Sequence, residues 1–195
     1  MRKKRWSFFG GMLSLQEKWL NRMADSGWRL VRVGKLLYEF EECGTERFCY
    51  CVEFIGQKRK ERAVEYHDFL EGMGYRVFYK NANLNYSIGK LRFRPWAEKG
   101  GRIAANTTTF GRELLIVEKE SDGNPFRLHT TYEDRQAYCR ILQKPYLSMF
   151  LIFSLSGILM RQWLWGVFAI PFLVPALLYQ RELIWLKKQA GTKEQ

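Results

Sequence analysis

Few side chains in this 195-residue chain are of the types that do chemistry, and their spacing argues against a catalytic centre. The two histidines, His67 and His129, lie far apart. Neither has a second imidazole or thiolate at metal-ligand spacing. The four cysteines, Cys43, Cys49, Cys51 and Cys139, contain no C-x-x-C pair and read as reduced thiols. Gly89-Lys90 resembles the end of a phosphate loop, but the glycine required five positions before Gly89 is Leu84. No G-x-S-x-G elbow is present. The acidic pairs Glu41-Glu42 and Glu118/Glu120 have no apolar neighbourhood in sequence that would raise one carboxyl above the other. The sequence therefore predicts no enzyme activity, no cofactor and no metal.

The other chemistry-bearing pattern is charge. The formal net charge is +12, and residues 1–144 hold 27 basic against 18 acidic side chains. Such a surface suits anionic partners. Arg2, Lys3, Lys4 and Arg5 open the chain as a basic cluster, too briefly followed by apolar residues to read as a cleaved signal, so an uncleaved N-terminus is expected. Between Arg76 and Arg112 eight basic residues face one acid, Glu98, with aromatic residues interleaved. Lys90, Arg92, Arg94 and Trp96 are its centre. Three readings stay open there: an ordinary half-buried sheet, a surface against lipid headgroups, and a stacking platform for single-stranded nucleic acid.

Position decides between some of these readings, and position is set by the C-terminal third. From Tyr146 to Met160 and from Trp163 to Tyr179 there is no Asp, Glu, Lys or Arg. Two apolar runs separated by Arg161-Gln162 predict a transmembrane helical hairpin over 145–180, with helices at about 146–160 and 163–179 and a basic tail over 181–195. Both runs are short against the roughly 20 residues a span requires, the first more so. Tyr146, Trp163, Trp165, Tyr179 and Trp185 stand where interfacial aromatic belts are found. Arg127, Arg135, Arg140 and Lys144 precede the hairpin, and Arg181, Lys187, Lys188 and Lys193 follow it, whereas the turn offers Arg161 alone. By the positive-inside rule both termini are cytoplasmic and the protein is a two-pass protein of the cell membrane.

Residues 1–144 read as one cytosolic α+β domain, an antiparallel sheet with two to three helices on one face. Ser14 and Glu17 are spaced as a capping box, and Leu15, Trp19, Leu20 and Met23 continue at helical spacing up to Gly27. A strand over 28–40 is expected to pair with the alternating strand Phe48–Phe54 as a hairpin. A second helix with Ala63, Tyr66, Phe69, Leu70 and Met73 on its apolar face ends at Gly74. "WLNRMADSGWRLV" (Trp19 to Val31) and "FLEGMGYRVF" (Phe69 to Phe78) share a helix end, a glycine, an aromatic, Arg and a strand start. This is either the common grammar of a helix-to-strand junction or a true repeat of an α–β unit. A strand over 112–119, a turn at Ser121–Pro125, a short strand over 126–129 pairing back and a helix over 132–143 complete the domain.

The segments "WLNRMADSGWRL", "YEFEECGTERFCYCVEF", "YHDFLEGMGYRV" and "LIVEKESDGNPFRLHTTYEDRQAYCR" resemble a bacterial membrane-associated domain-of-unknown-function family, numbered 2812. They cover most of residues 8–140, and apolar helices after the domain also fit that family. "NLNYSIGKLRFRPWAEKGGRIAANTTTFG" departs from the family pattern of a tryptophan, an aromatic strand and a short link. The resemblance implies a bacterial, Gram-positive origin and genes beside PadR-type transcription regulators. It brings no activity with it.

Together these features predict a membrane-anchored protein whose cytosolic domain is a non-enzymatic regulatory, sensing or protein-interaction module. The alternatives are a lipid-facing accessory subunit of a membrane complex and nucleic-acid binding through the basic aromatic strand. Membrane lipid and an unidentified protein are the expected partners, homo-oligomerisation stays open, and nucleic acid is the least favoured.

Overall fold

The structure is a computed structural model that describes residues 1–44, 47–56, 58, 60–82, 86–88, 91–93, 103–104, 112–124, 126, 128 and 132–191, with backbone alone for 86–88, 91–93, 103–104, 132–134, 190 and 191. The chain forms two compact units, Met1–His129 and Thr130–Gln195.

Among the described residues, the first unit is built from nine short strands and two helices. β1 (Arg2–Trp6), β2 (Trp28–Val33) and β3 (Leu37–Glu42) make an antiparallel sheet in the order β1-β3-β2. β4 (Phe48–Phe54), β5 (Arg76–Lys80) and β9 (Leu114–Glu120) make a second, in the order β4-β9-β5. β6 (Tyr86–Ile88), β7 (Leu91–Phe93) and β8 (Ile103–Ala104) form a small third sheet. Leu114, Leu115, Ile116 and Val117 are all buried, so the central strand β9 is covered on both faces, and its unbroken apolar run reflects that. Under α2 (Lys60–Gly72) the core comprises Ile55, Ala63, Leu70, Val77, Leu115 and Val117. α1 (Leu13–Asp25) packs on β4 and β2.

The α+β class and the C-terminal apolar hairpin stand, but several local expectations are corrected. The strand expected over 28–40 is two strands, turned back at Gly34, whose N–H donates to the Leu37 carbonyl at 2.7 Å. β3 then pairs with β2 and β1, whereas β4 pairs with β9, so the expected hairpin of the 28–40 and 48–54 runs does not form. The basic opening Arg2–Arg5 is the strand β1 on the free side of β3.

The capping box is not made. The cap position is Met12, without a side-chain hydrogen bond, and Ser14 is buried within the helix. The Glu17 carboxylate instead accepts the Val52 N–H at 3.1 Å, and the Asn21 amide pairs with Tyr50, accepting its N–H at 2.8 Å and donating to its carbonyl at 2.9 Å. Among the described residues β4 has a sheet partner on one side only, and α1 supplies hydrogen-bond partners on the other. Satisfying a sheet edge across the fold outweighed satisfying a local helix end. The expected short strand over 126–129 is not seen at residues 126 and 128, where Phe126 and Leu128 pack on the α2 core; residues 127 and 129 lie outside the described ones.

The two helix-to-strand junctions share a shape that either reading of their sequence likeness accommodates. α1 and α2 each end before a glycine of positive φ, Gly27 at +78° and Gly74 at +84°, and each leads into a strand that is the edge of its three-stranded sheet.

In the second unit α3 (Tyr132–Leu159) and α4 (Leu164–Gly191) pack side by side, joined by a turn in which Arg161 has φ +52°. α3 runs on through Pro145 and α4 through Pro171 and Pro175. The helices extend beyond the uncharged runs, and by length and composition the stretches long and apolar enough to cross a membrane are Arg135–Leu159 and Leu164–Gln189, 25 and 26 residues. At the turn end a Cβ on Gly157 would approach the Trp165 Cβ to 3.2 Å, so this glycine lets the helices close.

Candidate functional site

Three elements of the first unit bring polar groups to one small cavity. Tyr38 and Phe40 share a face of β3 and are fully buried, packed edge-on against Trp19 of α1, while Phe9 of the β1–α1 loop meets Tyr38 edge-on. Gln16, in the first turns of α1, is 1% exposed. Lys80 closes β5, opposite Leu114 of β9, and is also buried. Phe9, Gln16, Tyr38, Lys80 and Leu114, with Gly10 and Gly11, are among the residues that line a cavity of about 10 Å³.

The polar accounting of this cavity is incomplete. The Gln16 amide nitrogen and the Tyr38 hydroxyl are buried and have no hydrogen-bond partner in the protein; they are the two such side-chain atoms among the described residues. An unpaired buried donor forfeits its hydration without return. The Lys80 ammonium donates to the carbonyls of Gly34, at 3.0 Å, and of Lys35, and lies 5.1 Å from the centre of the Tyr38 ring. Burial lowers its pKa to about 8, and the charge of Glu113 opposes that shift. The buried Glu113 carboxylate accepts the Ala82 N–H at 3.1 Å. Burial raises the Tyr38 phenol above its ordinary range, so it is a neutral donor.

A second buried polar group has a structural character. Glu118 of β9, 2% exposed, receives Arg29 of β2 at 2.8 and 2.9 Å and the Tyr50 hydroxyl of β4 at 2.8 Å. The Leu30 N–H donates to that same hydroxyl at 2.8 Å. Both carboxylate oxygens thus have a donor, and the group joins the two larger sheets.

His67 of α2 has Asp68 beside Nδ1 at 3.3 Å and Glu71 beside Nε2 at 3.7 Å, with its ring stacked on Tyr79. One ligand atom from each of His67, Asp68 and Glu71 lies within 4.8 Å of the others, but both acids are exposed, and exposed acids cluster in this way without an ion. All four cysteines are free thiols, and burial is the main cause raising Cys49, away from a reactive thiolate.

The described residues singled out from sequence fall on β1 and β7 of the first unit and on the hairpin of the second. Arg2, Lys4 and Arg5 are exposed along β1, although Lys4 meets Glu39 of β3 at 3.8 Å; Lys3 is half-buried, its amine 4.6 Å from the centre of the Trp28 ring. Arg92 lies on β7, opposite Ser87 and Ala104 in backbone register. Lys90, Arg94 and Trp96 lie outside the described residues. Tyr179 is buried between the hairpin helices and stacked on Tyr146, and Trp165 packs on Phe153, while Trp163 is exposed at the turn. Trp185 is half-buried, and Lys187 and Lys188 are exposed.

Sequence reasoning does not single out Gln16, Tyr38 or Lys80 as site residues. Lys80 reads as one of a basic stretch and Gln16 as part of a polar helix start. The one available signal is the Gly10-Gly11 pair directly before a helix, both of positive φ in the fold.

An α+β unit followed by two helices long and apolar enough to cross a membrane defines the class: a domain with a candidate membrane hairpin. The chain belongs to the family described as "Protein of unknown function (DUF2812)", whose profile matches residues 13–151. No curated protein matches the chain. No solved structure matches it either.

Proposed function

We propose that the protein is a two-pass, membrane-anchored, non-enzymatic binding module, with both termini cytoplasmic and the α+β unit engaging a regulatory partner or ligand at the membrane. The observation that carries the anchoring is the outer surface of the hairpin. Only 11% and 22% of its two most apolar windows are buried, and Leu151, Ile152, Leu155, Ile158, Phe168, Ile170, Val174 and Leu177 point outward. A core helix of a soluble protein would cover such rows, and lipid covers them here. The positive charge on both sides of the hairpin supports the orientation. The test is Gln162→Cys in an otherwise cysteine-free chain. A membrane-impermeant maleimide should label it from outside intact cells, and protection until lysis would overturn the topology. Turnover of a substrate by the purified chain, abolished by one polar substitution, would overturn the non-enzymatic reading.

A second reading is favoured by β1. Arg2, Lys4, Arg5 and Trp6 are exposed along it, and Phe8 follows at 65% exposure. Basic and aromatic side chains in this combination suit anionic headgroups. In vesicles, brominated phosphatidylserine should quench the fluorescence component that Trp6→Phe removes. Equal quenching of that variant would exclude the contact.

A further inference from the structure

We propose that the cavity between α1, β3 and β5 is a binding site for an oxyanion, a carboxylate or phosphoryl group that enters with one oxygen. The inference rests on reading the α+β unit as a binding module and names the class of its ligand.

Three observations converge on that chemistry. The unpartnered groups, the Gln16 amide nitrogen and the Tyr38 hydroxyl, are both hydrogen-bond donors, and both are at least nine-tenths buried. A site that offers donors calls for an acceptor. Lys80 adds a positive charge on the same wall, with two of its three N–H bonds taken by the carbonyls of Gly34 and Lys35. The first turn of α1 has no acidic residue, and its cap position is Met12, which makes no side-chain hydrogen bond, while Glu17 is engaged with Val52. The positive end of the helix is therefore left without the carboxylate that the sequence pattern assigns to it. Glu113 is the acid whose charge acts on Lys80; one of its oxygens takes the Ala82 N–H.

Size sets the mode of entry. About 10 Å³ holds one oxygen atom with its contacts and excludes a whole phosphate. The rest of the ligand stays outside the cavity, whose lining includes Gly10 and Gly11 without side chains.

The experiment uses the full chain in detergent micelles, titrated with sodium acetate or sodium phosphate against sodium chloride at matched ionic strength. Binding is read from the thermal midpoint and by calorimetry. A parallel arm uses nanodiscs with and without phosphatidic acid, which separates a lipid headgroup from a free anion. The expected result is a saturable rise in midpoint with at least one oxyanion source and none with chloride. Tyr38→Phe and Gln16→Leu should each weaken that binding roughly tenfold or more, as expected for a hydrogen bond to a charged group. Without ligand, Tyr38→Phe should melt at or above the unsubstituted chain, because it deletes a hydroxyl that has no partner.

No saturable response from any of these sources would mean a cavity that holds water only and would overturn the proposal. An equal response from both variants would place the binding elsewhere and overturn it too. A Tyr38→Phe chain that melts lower without ligand would show a hydroxyl already satisfied in the fold, which is equally incompatible with the site. Loss of the oxyanion site would leave the anchored-module reading standing, since labelling at Gln162 and the search for turnover test that separately.

Discussion

At the scale of single residues, two buried charges are handled in opposite ways. Glu118 is satisfied by Arg29 and the Tyr50 hydroxyl. Removing one partner of such a group leaves a charge without compensation. Arg29→Met should therefore lower stability by about 3–5 kcal/mol, read by urea denaturation of the full chain in micelles. Adding Glu118→Leu should recover part of that loss, because an apolar pair leaves no buried charge unpaired. Lys80 is held in a different balance, since burial lowers it from 10.5 to about 8. Below pH 8 it is protonated in both states, and the folded state bears the full burial penalty. Between about pH 8 and 10.5 the folded chain has lost a proton that the unfolded chain keeps, so stability rises with pH through that window. Relative to Lys80→Met at each pH, the gain should be on the order of 3 kcal/mol. Tyr38, Tyr50 and Tyr66 are raised by burial and act with the opposite sign above about pH 10, so the difference from the variant is the quantity to measure. A flat difference would mean that Lys80 is hydrated.

At the scale of elements, α1 does more than cover apolar surface. Its Asn21 closes the outer edge of β4 with two hydrogen bonds to Tyr50, and Glu17 adds a third at Val52. Asn21→Ala frees a strand N–H and a carbonyl, a loss of about 2 kcal/mol. The bared edge should also recruit other chains, seen as concentration-dependent association on size exclusion. Retained stability without association would show that the edge needs no cover. The start of α1 illustrates why the local rule fails here. Ser14 and Glu17 have the right spacing, but a capping box is worth about 1 kcal/mol, and Glu17 answers a buried strand donor instead. The helix ends are legible in the sequence, since Gly27 and Gly74 reach positive φ at low cost without any distant partner.

At the scale of the whole molecule, the two units should respond to denaturant separately. The hairpin satisfies its backbone internally and is solvated by detergent, whereas Met1–His129 depends on long-range sheet pairing. In micelles, urea should abolish the near-ultraviolet signal of the first unit while most of the helical signal survives, because α3 and α4 have 28 residues each against 13 each in α1 and α2. One coincident transition would mean that the units unfold together.

The sequence by itself determined the apolar hairpin, the helix stops, the alternating strand Phe48–Phe54 and the family, because each rests on a short-range pattern of polarity or backbone freedom. Only the tertiary structure decided that β4 pairs with β9 rather than with the strand before it, and that the 28–40 run folds back on itself. Pairing partners are chosen by the hydrogen-bond demands of whole edges, which no local window contains. The cavity belongs to the same category. Gln16, Tyr38 and Lys80 are separated by 22 and 42 positions in the chain, and two of them matter because their donors lack partners, a property that exists only once every other pairing is in place.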